Sequence, residues 1–314
     1  MDAQISEPVA VLSRTDCIQV HGREFFVKRD DLIDPLLSGN KARKLYRLMQ
    51  AESGQYKAIT SYGGTQSNAM LSIAALCHQK GWQFHYTSKP VPDYLRRNPT
   101  GNLKMALELG MQLHEVAHDE YNDAVLALKS IRDASTLFVP QGGADPIAQQ
   151  GIEQLAEEIR QWRQANGIER LYVVTPSGTG TTACYLAIAL ADAEVLTTPA
   201  VGEKDYLLTQ MRCLGEVPAN LNILDNSKKH HFAKPYRELL ATYQELISAG
   251  IEFDLIYGAL MWHTLFQHID RFEGTILYVH SGGLIGNETM LARYRHKRML
   301  NSPGNYSSLS SDHA

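Results

Sequence analysis

The stretch that decides the fold reads Val173-Val174-Thr175-Pro176-Ser177-Gly178-Thr179-Gly180-Thr181-Thr182. Its apolar strand pattern runs into a loop of glycine and hydroxyl residues, and a helical pattern follows over 183–193. Glycines let the backbone bend so that its N–H groups converge, while a helix N-terminus adds partial positive charge. The stretch therefore predicts a βα unit whose loop binds a phosphate group through Gly178, Thr179, Gly180, Thr181 and Thr182.

The same alternation of strand-like and helical patterns extends along the chain, with strand-like runs at 25–27, 58–60, 137–139, 171–174 and 276–279. It is typical of α/β folds with open, mostly parallel sheets flanked by helices. Breaks rich in Pro, Asn and Gly interrupt the pattern at 89–101 and 140–146.

These breaks predict two domains. We expect a smaller α/β domain at 46–139, inserted into a larger one formed by 1–45 and 140–314. The Ser-rich end, 301–314, is expected to be flexible.

Composition excludes several classes of protein. The 314 residues carry 30 basic and 34 acidic side chains, a net charge of −4, which offers no broad cationic face to nucleic acid. The basic run 293–298 is expected to be a solvated helix face, with a cluster that binds an anion as the alternative. Apolar runs fall well short of the roughly 20 residues of a membrane span, and the N-terminus lacks the pattern of a secretory signal, so we expect a cytoplasmic protein. The four cysteines are too scattered for a zinc site or a disulfide framework and are expected to be buried.

Lys41 lies in the run Ser38-Gly39-Asn40-Lys41, just where a helical pattern over 41–51 begins. A lysine near a helix start is usually solvated, but a glycine turn beside a phosphate loop suggests another role. An amine in that position can bond to an aldehyde cofactor and, once exchanged for the substrate amine, can take a proton from the α-carbon. The combination predicts pyridoxal 5'-phosphate as the cofactor.

A second polar loop, Gly63-Gly64-Thr65-Gln66-Ser67-Asn68, enters the helical pattern 67–80. Gln66 and Ser67, with the helix N–H groups, suit an amino-acid carboxylate, and Asn68 can reach the phenolic oxygen of the cofactor; a helix cap without a ligand is the alternative. Tyr257 and Ser281 stand at the ends of apolar runs, where either packing or a site role is open.

A nicotinamide-dependent oxidoreductase is a further alternative. Gly178, Gly180 and Ala183 satisfy the pattern G-x-G-x-x-A, and Glu203 lies at the distance of a ribose-binding acid. Alone, this pattern is weak evidence.

Five motifs in order resemble those of 1-aminocyclopropane-1-carboxylate deaminases and D-cysteine desulfhydrases. They are Ser-Gly-Asn-Lys (38–41), Gly-Gly-x-Gln-Ser-Asn (63–68), Ser-Gly-x-Gly-x-Thr (177–182), Asp-x-x-Tyr (254–257) and His-Ser-Gly-Gly (280–283). These enzymes belong to the tryptophan-synthase-β-like, fold type II pyridoxal-phosphate enzymes.

The resemblance implies a two-domain, usually dimeric enzyme in which Lys41 bonds to the cofactor. Asn68 would contact the cofactor, Ser67 the substrate carboxylate, 178–182 the phosphate, and Tyr257 the reacting side of the substrate. Ser281 stands where desulfhydrases have hydroxyl residues. A serine leaves the ring nitrogen of the cofactor nearer to neutral than a carboxylate would, which suffices to eliminate a thiolate.

Three positions depart from the family pattern. Gly258 stands where the deaminases have Glu and matches neither subgroup, Ala69 where a Gln or His is usual, and His231 where a second tyrosine is expected. His231 is expected either to contact substrate as a proton carrier or to lie on the surface. The sequence thus predicts a lyase or deaminase acting on a small amino acid, with D-cysteine desulfhydrase first, 1-aminocyclopropane-1-carboxylate deaminase second, and a cofactor-binding protein with little turnover third. No metal is expected.

Overall fold

The computed structural model describes residues 12–37, 39–131 and 133–300. Three parts of the sequence discussed above lie outside these ranges: the N-terminal segment Met1–Pro8, the C-terminal segment 301–314, and Ser38 of the lysine motif. Within them, strands and helices alternate as the sequence predicts, so the α/β fold class is confirmed. No helix in the described ranges is both long and apolar enough to cross a lipid bilayer.

In chain order the strands are β1 (Thr15–Val20), β2 (Arg23–Lys28), β3 (Ala58–Tyr62), β4 (Gln83–Ser88), β5 (Met111–Glu115), β6 (Thr136–Phe138), β7 (Leu171–Val174), β8 (Glu194–Thr197), β9 (Leu221–Ile223) and β10 (Thr275–Val279). The helices are α1 (Asn40–Lys44), α2 (Tyr46–Met49), α3 (Asn68–Lys80), α4 (Asp93–Arg97), α5 (Gly101–Glu108), α6 (Tyr121–Lys129), α7 (Gln149–Ala165), α8 (Thr181–Ala189), α9 (Lys204–Arg212), α10 (Arg237–Ser248), α11 (Gly258–His268) and α12 (Gly286–His296).

The strands form two sheets. The larger has six strands in the order β1-β2-β10-β7-β8-β9 and is parallel except for β1, which pairs antiparallel with β2. The smaller has four parallel strands in the order β5-β4-β3-β6, all within 58–138. The division of the chain into domains at 45/46 and 139/140 stays a prediction.

Strand β7 lies in the middle of the larger sheet and is buried along its whole length. Leu171 and Val173 pack with α7 and α8 on one face, while Tyr172 and Val174 pack with the aromatic side chains around Trp262 on the other. Burial on both faces explains why β7 reads as a continuous apolar run instead of an alternating one. It also places the loop after β7 at an edge shared with the loop after β10, because the carboxyl ends of parallel strands face the same way.

The helix predicted over 41–51 is interrupted. Helix α1 ends at Lys44; the next residue, Leu45, has a non-helical φ of −91° and ψ of 4°, and α2 begins at Tyr46. The break leaves Lys41 on a helix of one turn, so its position must be fixed by other contacts.

Arg43 supplies such contacts. It is fully buried, and its guanidinium lies 2.8 Å from Asp30 and 2.5 Å from Glu158, which also pairs with Lys28 at 2.5 Å. Lys28 ends β2, Asp30 begins the short 3-10 helix that follows it, and Glu158 belongs to α7. This ionic network ties α1 to these elements, two residues from Lys41.

Candidate active site

A cleft of about 900 Å³ opens between the elements that carry the two sheets. It is lined by eleven of the residues that the sequence assigns to a site: Lys41, Gln66, Ser67, Asn68, Gly178, Thr179, Gly180, Thr181, Thr182, Tyr257 and Ser281. The five motifs, which are far apart in the chain, therefore all contribute residues to the lining of this cleft. Their roles as site residues stay predictions.

The turn before Lys41 requires glycine. Gly39 has a φ of 55°, and a Cβ added there would lie 2.3 Å from the backbone carbonyl of Ser281. The backbone N–H of Asn40 points to the same carbonyl at 3.4 Å. The lysine motif and the Ser281 motif thus pack backbone against backbone.

Lys41 has an ammonium that is withdrawn from water. Its Nζ donates a hydrogen bond to Asn40 Oδ1 at 2.8 Å. Burial lowers the pKa of Lys41 to about 8, and the negative charge of Asp254 opposes that shift. About one amine in eleven is therefore neutral at pH 7, far more than for an ordinary lysine, and the neutral form is the one that a nucleophile requires.

The loop between β7 and α8 is shaped to hold an anion. Gly180 caps α8 with a φ of 79°, and a Cβ there would lie 2.5 Å from the Met211 side chain. The Thr182 hydroxyl is buried and has no hydrogen-bond partner among the described residues. A buried donor without a partner is costly, so a bound phosphate oxygen beside the helix N-terminus would satisfy it. These residues fit the phosphate of pyridoxal phosphate.

Sequence reasoning missed Lys44, a second lysine in the cleft. Lys44 is 5 % exposed, and its Nζ donates to the backbone carbonyl of Gly142 at 3.0 Å. A Cβ on Gly142 would lie 3.1 Å from Thr179, so this ammonium is close to the phosphate loop. Burial, and next the charge of Lys41, lower the pKa of Lys44 well below its ordinary value. The spacing of three residues from Lys41, which places both on one helix face, was a signal that could have identified it.

Gln66 and Ser67 lie where α3 begins. Ser67 caps the helix, its Oγ accepting a hydrogen bond from Met70 N at 3.3 Å. Gln66 is 6 % exposed, and both polar atoms of its amide are buried without a hydrogen-bond partner among the described residues. An amide left unpaired at the wall of a cleft suits a polar ligand such as a carboxylate.

Asp254 is the second residue that sequence reasoning left without a role. Its carboxylate accepts backbone N–H hydrogen bonds from Ile256 at 3.1 Å, Tyr257 at 2.7 Å and Gly258 at 2.9 Å, and so caps α11. Burial raises its pKa to about 6, against the effects of these bonds and of Lys41. A Cβ on Gly258 would lie 3.0 Å from Asp254 Oδ2, so a larger residue there would crowd the carboxylate.

Tyr257 lines the cleft beside the phosphate loop, with its ring 3.4 Å from where a Cβ of Gly178 would be. Burial raises the pKa of its hydroxyl above the ordinary value, so that this group remains a hydrogen-bond donor. The ring of Phe232 packs against it edge-on, with centroids 5.7 Å apart.

His231 is not brought to the site. Its side chain is exposed and is absent from the described cleft lining, and its backbone N–H donates to Tyr236 Oη at 3.0 Å. The structure thus gives no support to substrate contact by His231. Phe232 and Ala233 are the residues of this segment that reach the cleft.

Two further expectations need correction. Arg293, expected on a solvated helix face, is partly buried, lines the cleft and donates to Ala233 O at 2.7 Å. Cys77 and Cys184 are buried as expected, whereas Cys17 and Cys213 are exposed. Helical and apolar patterns in the sequence do not reveal which neighbouring element covers a residue.

The charged residues that line the cleft, among those described, are all basic. Of the described residues that line it, none is Asp or Glu, whereas Lys41, Lys44, Lys129 and Arg293 are cationic. The described ranges also contain no cluster of three or more His, Cys, Asp or Glu that could hold a metal ion. The cleft is therefore suited to anionic ligands, including a phosphorylated cofactor and an amino-acid carboxylate.

Comparison with known proteins agrees with this geometry. The chain is 26% identical over 305 residues to a putative 1-aminocyclopropane-1-carboxylate deaminase of Thermotoga maritima, covering 89% of this chain and 94% of the relative. It is 26% identical over 298 residues to a mitochondrial bifunctional D-cysteine desulfhydrase/1-aminocyclopropane-1-carboxylate deaminase of Arabidopsis thaliana, covering 85% and 74%.

Among solved structures, a homologue of ACC deaminase superimposes with a TM-score of 0.73 at 20% identity, covering 94% of this chain and 95% of the other. This likeness confirms the fold type II architecture. The model of the family "Pyridoxal-phosphate dependent enzyme" matches residues 8–282, and this match leaves the nicotinamide alternative without support. The chain therefore belongs to the pyridoxal-phosphate dependent enzymes.

Proposed function

We propose that this protein removes the β-substituent of a small D-amino acid, with D-cysteine giving pyruvate, sulfide and ammonia. The observation that carries the proposal is the chemical nature of the cleft wall, in which Ser281 is present and no described carboxylate is. A carboxylate beside the ring nitrogen would keep that nitrogen protonated and strengthen electron withdrawal, whereas a hydroxyl leaves it nearer to neutral. Weaker withdrawal is sufficient when the leaving group is a thiolate.

The residues divide the work between binding and proton transfer. Bound pyridoxal phosphate supplies an aldehyde for amines and a ring that accepts electrons from the α-carbon. The loop 178–182 and Lys44 hold its phosphate, and Gln66 with the N-terminus of α3 holds the substrate carboxylate. Lys41, with its pKa lowered to about 8, acts first as nucleophile and then as the base that takes the α-proton.

Tyr257 assists the departing sulfur. As the C–S bond breaks, the electron pair leaves with sulfur, and the un-ionised hydroxyl of Tyr257 donates a hydrogen bond to it. Water then replaces nitrogen at the former α-carbon, which releases ammonia and pyruvate. Ser67 orients the carboxylate through its position at the start of α3.

The test is substrate comparison with purified holoenzyme. D-Cysteine, L-cysteine, D-serine and 1-aminocyclopropane-1-carboxylate are incubated separately, and keto acid and sulfide are measured. The expected result is fastest turnover of D-cysteine, abolished by Lys41→Ala. Faster turnover of the cyclopropane substrate would instead support the deaminase, the second candidate. The name of the Thermotoga relative favours this activity, whereas the name of the Arabidopsis relative includes both activities.

A third candidate, a cofactor-binding protein with little turnover, is favoured by the wall of the cleft itself. Ala69 lines it without a polar group, and Gly258 and His231 are both absent from its described lining. This candidate predicts the absorbance band of lysine-bound cofactor without product from any of the four substrates.

We further propose a homodimer, on the basis of the resemblance to usually dimeric enzymes, and a cytoplasmic location. Analytical ultracentrifugation measures the first, and cell fractionation measures the second.

A further inference from the structure

The side chain of Asn102 reaches the candidate site from outside it. Asn102 is 0% exposed and lies at the start of α5, the small-sheet helix that follows β4 and α4. Its Nδ2 donates to the backbone carbonyl of Gln66 at 3.1 Å and to the side-chain oxygen of Asn68 at 2.8 Å. One amide thus bridges both ends of the Gln66-Ser67-Asn68 loop.

The two hydrogen bonds fix the orientation of both amides. A backbone carbonyl can only accept, so the atom of Asn102 that faces Gln66 O must be its NH2 group. The same NH2 group faces Asn68, which must therefore present its oxygen to Asn102. The NH2 group of Asn68 is then directed to the opposite side.

That opposite side faces the cleft and Gly283. A Cβ on Gly283, whose φ is 88°, would lie 2.3 Å from Asn68 Nδ2, and a Cβ on Gly286 would lie 3.9 Å from Asn68 Oδ1. Asn68 lines the cleft, and in the described ranges its Nδ2 has no hydrogen-bond acceptor. Packing against the backbone of Gly283 leaves the Asn68 amide little room to rotate. The NH2 group of Asn68 is therefore an available hydrogen-bond donor at the cleft wall.

Asn102 is in turn anchored by contacts of its neighbours Thr100 and Gly101 with α12. Gly101 N donates to Glu288 Oε2 at 2.9 Å, the Thr100 and Thr289 hydroxyls lie 3.1 Å apart, and a Cβ on Gly101 would lie 2.5 Å from Thr289. The first turn of α5 is therefore docked on α12, the helix that follows the Ser281 loop. This contact between α5 and α12 fixes the position of the Asn102 side-chain amide.

We propose that Asn102 is a positioning residue that holds the Asn68 amide with its NH2 group toward the cleft, where it donates to the phenolic oxygen of pyridoxal phosphate. The inference rests on the proposed contact between Asn68 and the cofactor. A donor at that oxygen stabilises its ionised form, whereas a reversed amide would present a carbonyl and repel it.

The experiment is a spectrophotometric pH titration of the bound cofactor in the holoenzyme, which reports ionisation without turnover. The variants are Asn68→Ala, Asn102→Leu and the double variant, with Asn122→Leu, an exposed position on α6, as the matched control. Asn102→Leu keeps the branched shape of the side chain, with two larger methyl groups, and removes both N–H donors. Cofactor content and melting temperature are measured for each, and Asn102→Ala replaces Asn102→Leu if the latter does not fold.

We expect Asn68→Ala to raise the titration midpoint by about one unit, the size of one lost hydrogen bond to a charged oxygen. Asn102→Leu should raise it nearly as much, and the double variant no further, because Asn102 acts only through Asn68. A midpoint unchanged in Asn102→Leu, or additive effects of the two changes, would overturn the positioning role. If Asn68→Ala itself leaves the midpoint unmoved, the proposed cofactor contact is wrong and the inference falls with it.

Discussion

The reaction of Lys41 with pyridoxal phosphate should depend on pH with a midpoint near 8. Burial lowers the pKa of Lys41 from the ordinary lysine value of 10.5 to about 8. At pH 7 about one amine in eleven is then neutral, against about one in three thousand for an ordinary lysine. The reactive form is enriched roughly 300-fold at that pH.

The shape of the pH–rate profile distinguishes a lysine with a lowered pKa from an ordinary one. For a pKa near 8, the rate between pH 7 and 9 should rise about tenfold and level off, whereas an ordinary lysine would gain about a hundredfold without levelling. Asp254→Asn should move the midpoint lower, because the charge of Asp254 raises the pKa of Lys41.

Stopped-flow absorbance after mixing cofactor-free protein with pyridoxal phosphate provides the assay. The first-order rate at saturating cofactor separates the chemical step from phosphate binding, and Lys41→Ala measures the reaction of all other lysines. A hundredfold rise that continues beyond pH 9 would show that Lys41 is not desolvated, and would refute the reasoning. So would a signal of equal size in Lys41→Ala.

Three further substitutions test the structure around this lysine. Lys44→Met should weaken cofactor affinity by about 10- to 100-fold in a fluorescence titration, the effect of losing one charged hydrogen bond, while the exposed Lys104→Met should not. Gly39→Ala should lower the free energy of unfolding by about 2 kcal/mol or more, because the added Cβ meets backbone at positive φ, whereas Gly54→Ala, with open space around it, should be nearly neutral by chemical denaturation. Arg43→Met should cost about 3 to 5 kcal/mol in the same measurement, since it leaves the buried Asp30 without its cationic partner and Glu158 with Lys28 alone; a loss below about 1 kcal/mol would contradict the ionic network.

The features of the fold and of the site that could be predicted from the sequence are mostly local motifs. The phosphate loop and Lys41 are recognisable because glycines, hydroxyls and the helix start are contiguous in sequence, and β7 has the same bounds in the structure as in the pattern. The break at Leu45 was missed because its cause lies in tertiary packing, which overrides the helical pattern of 41–51.

Residues that act through distant contacts could not be foreseen in this way. Asn102 is 34 residues from Asn68, and nothing in its local sequence indicates a partner. The burial of Asp254 follows from the packing of α11. His231 and Phe232 are neighbours, and nothing in the local sequence indicates that Phe232, not His231, lines the cleft.

The cationic lining of the cleft also affects the stability of the protein when no cofactor is bound. Burial, and next the charge of Lys41, lower the pKa of Lys44, and a dianion beside the two ammonium groups would offset part of this cost. Binding to the native form alone shifts unfolding by mass action. Chains that carry the cofactor should consequently resist unfolding and proteolysis better than chains without it.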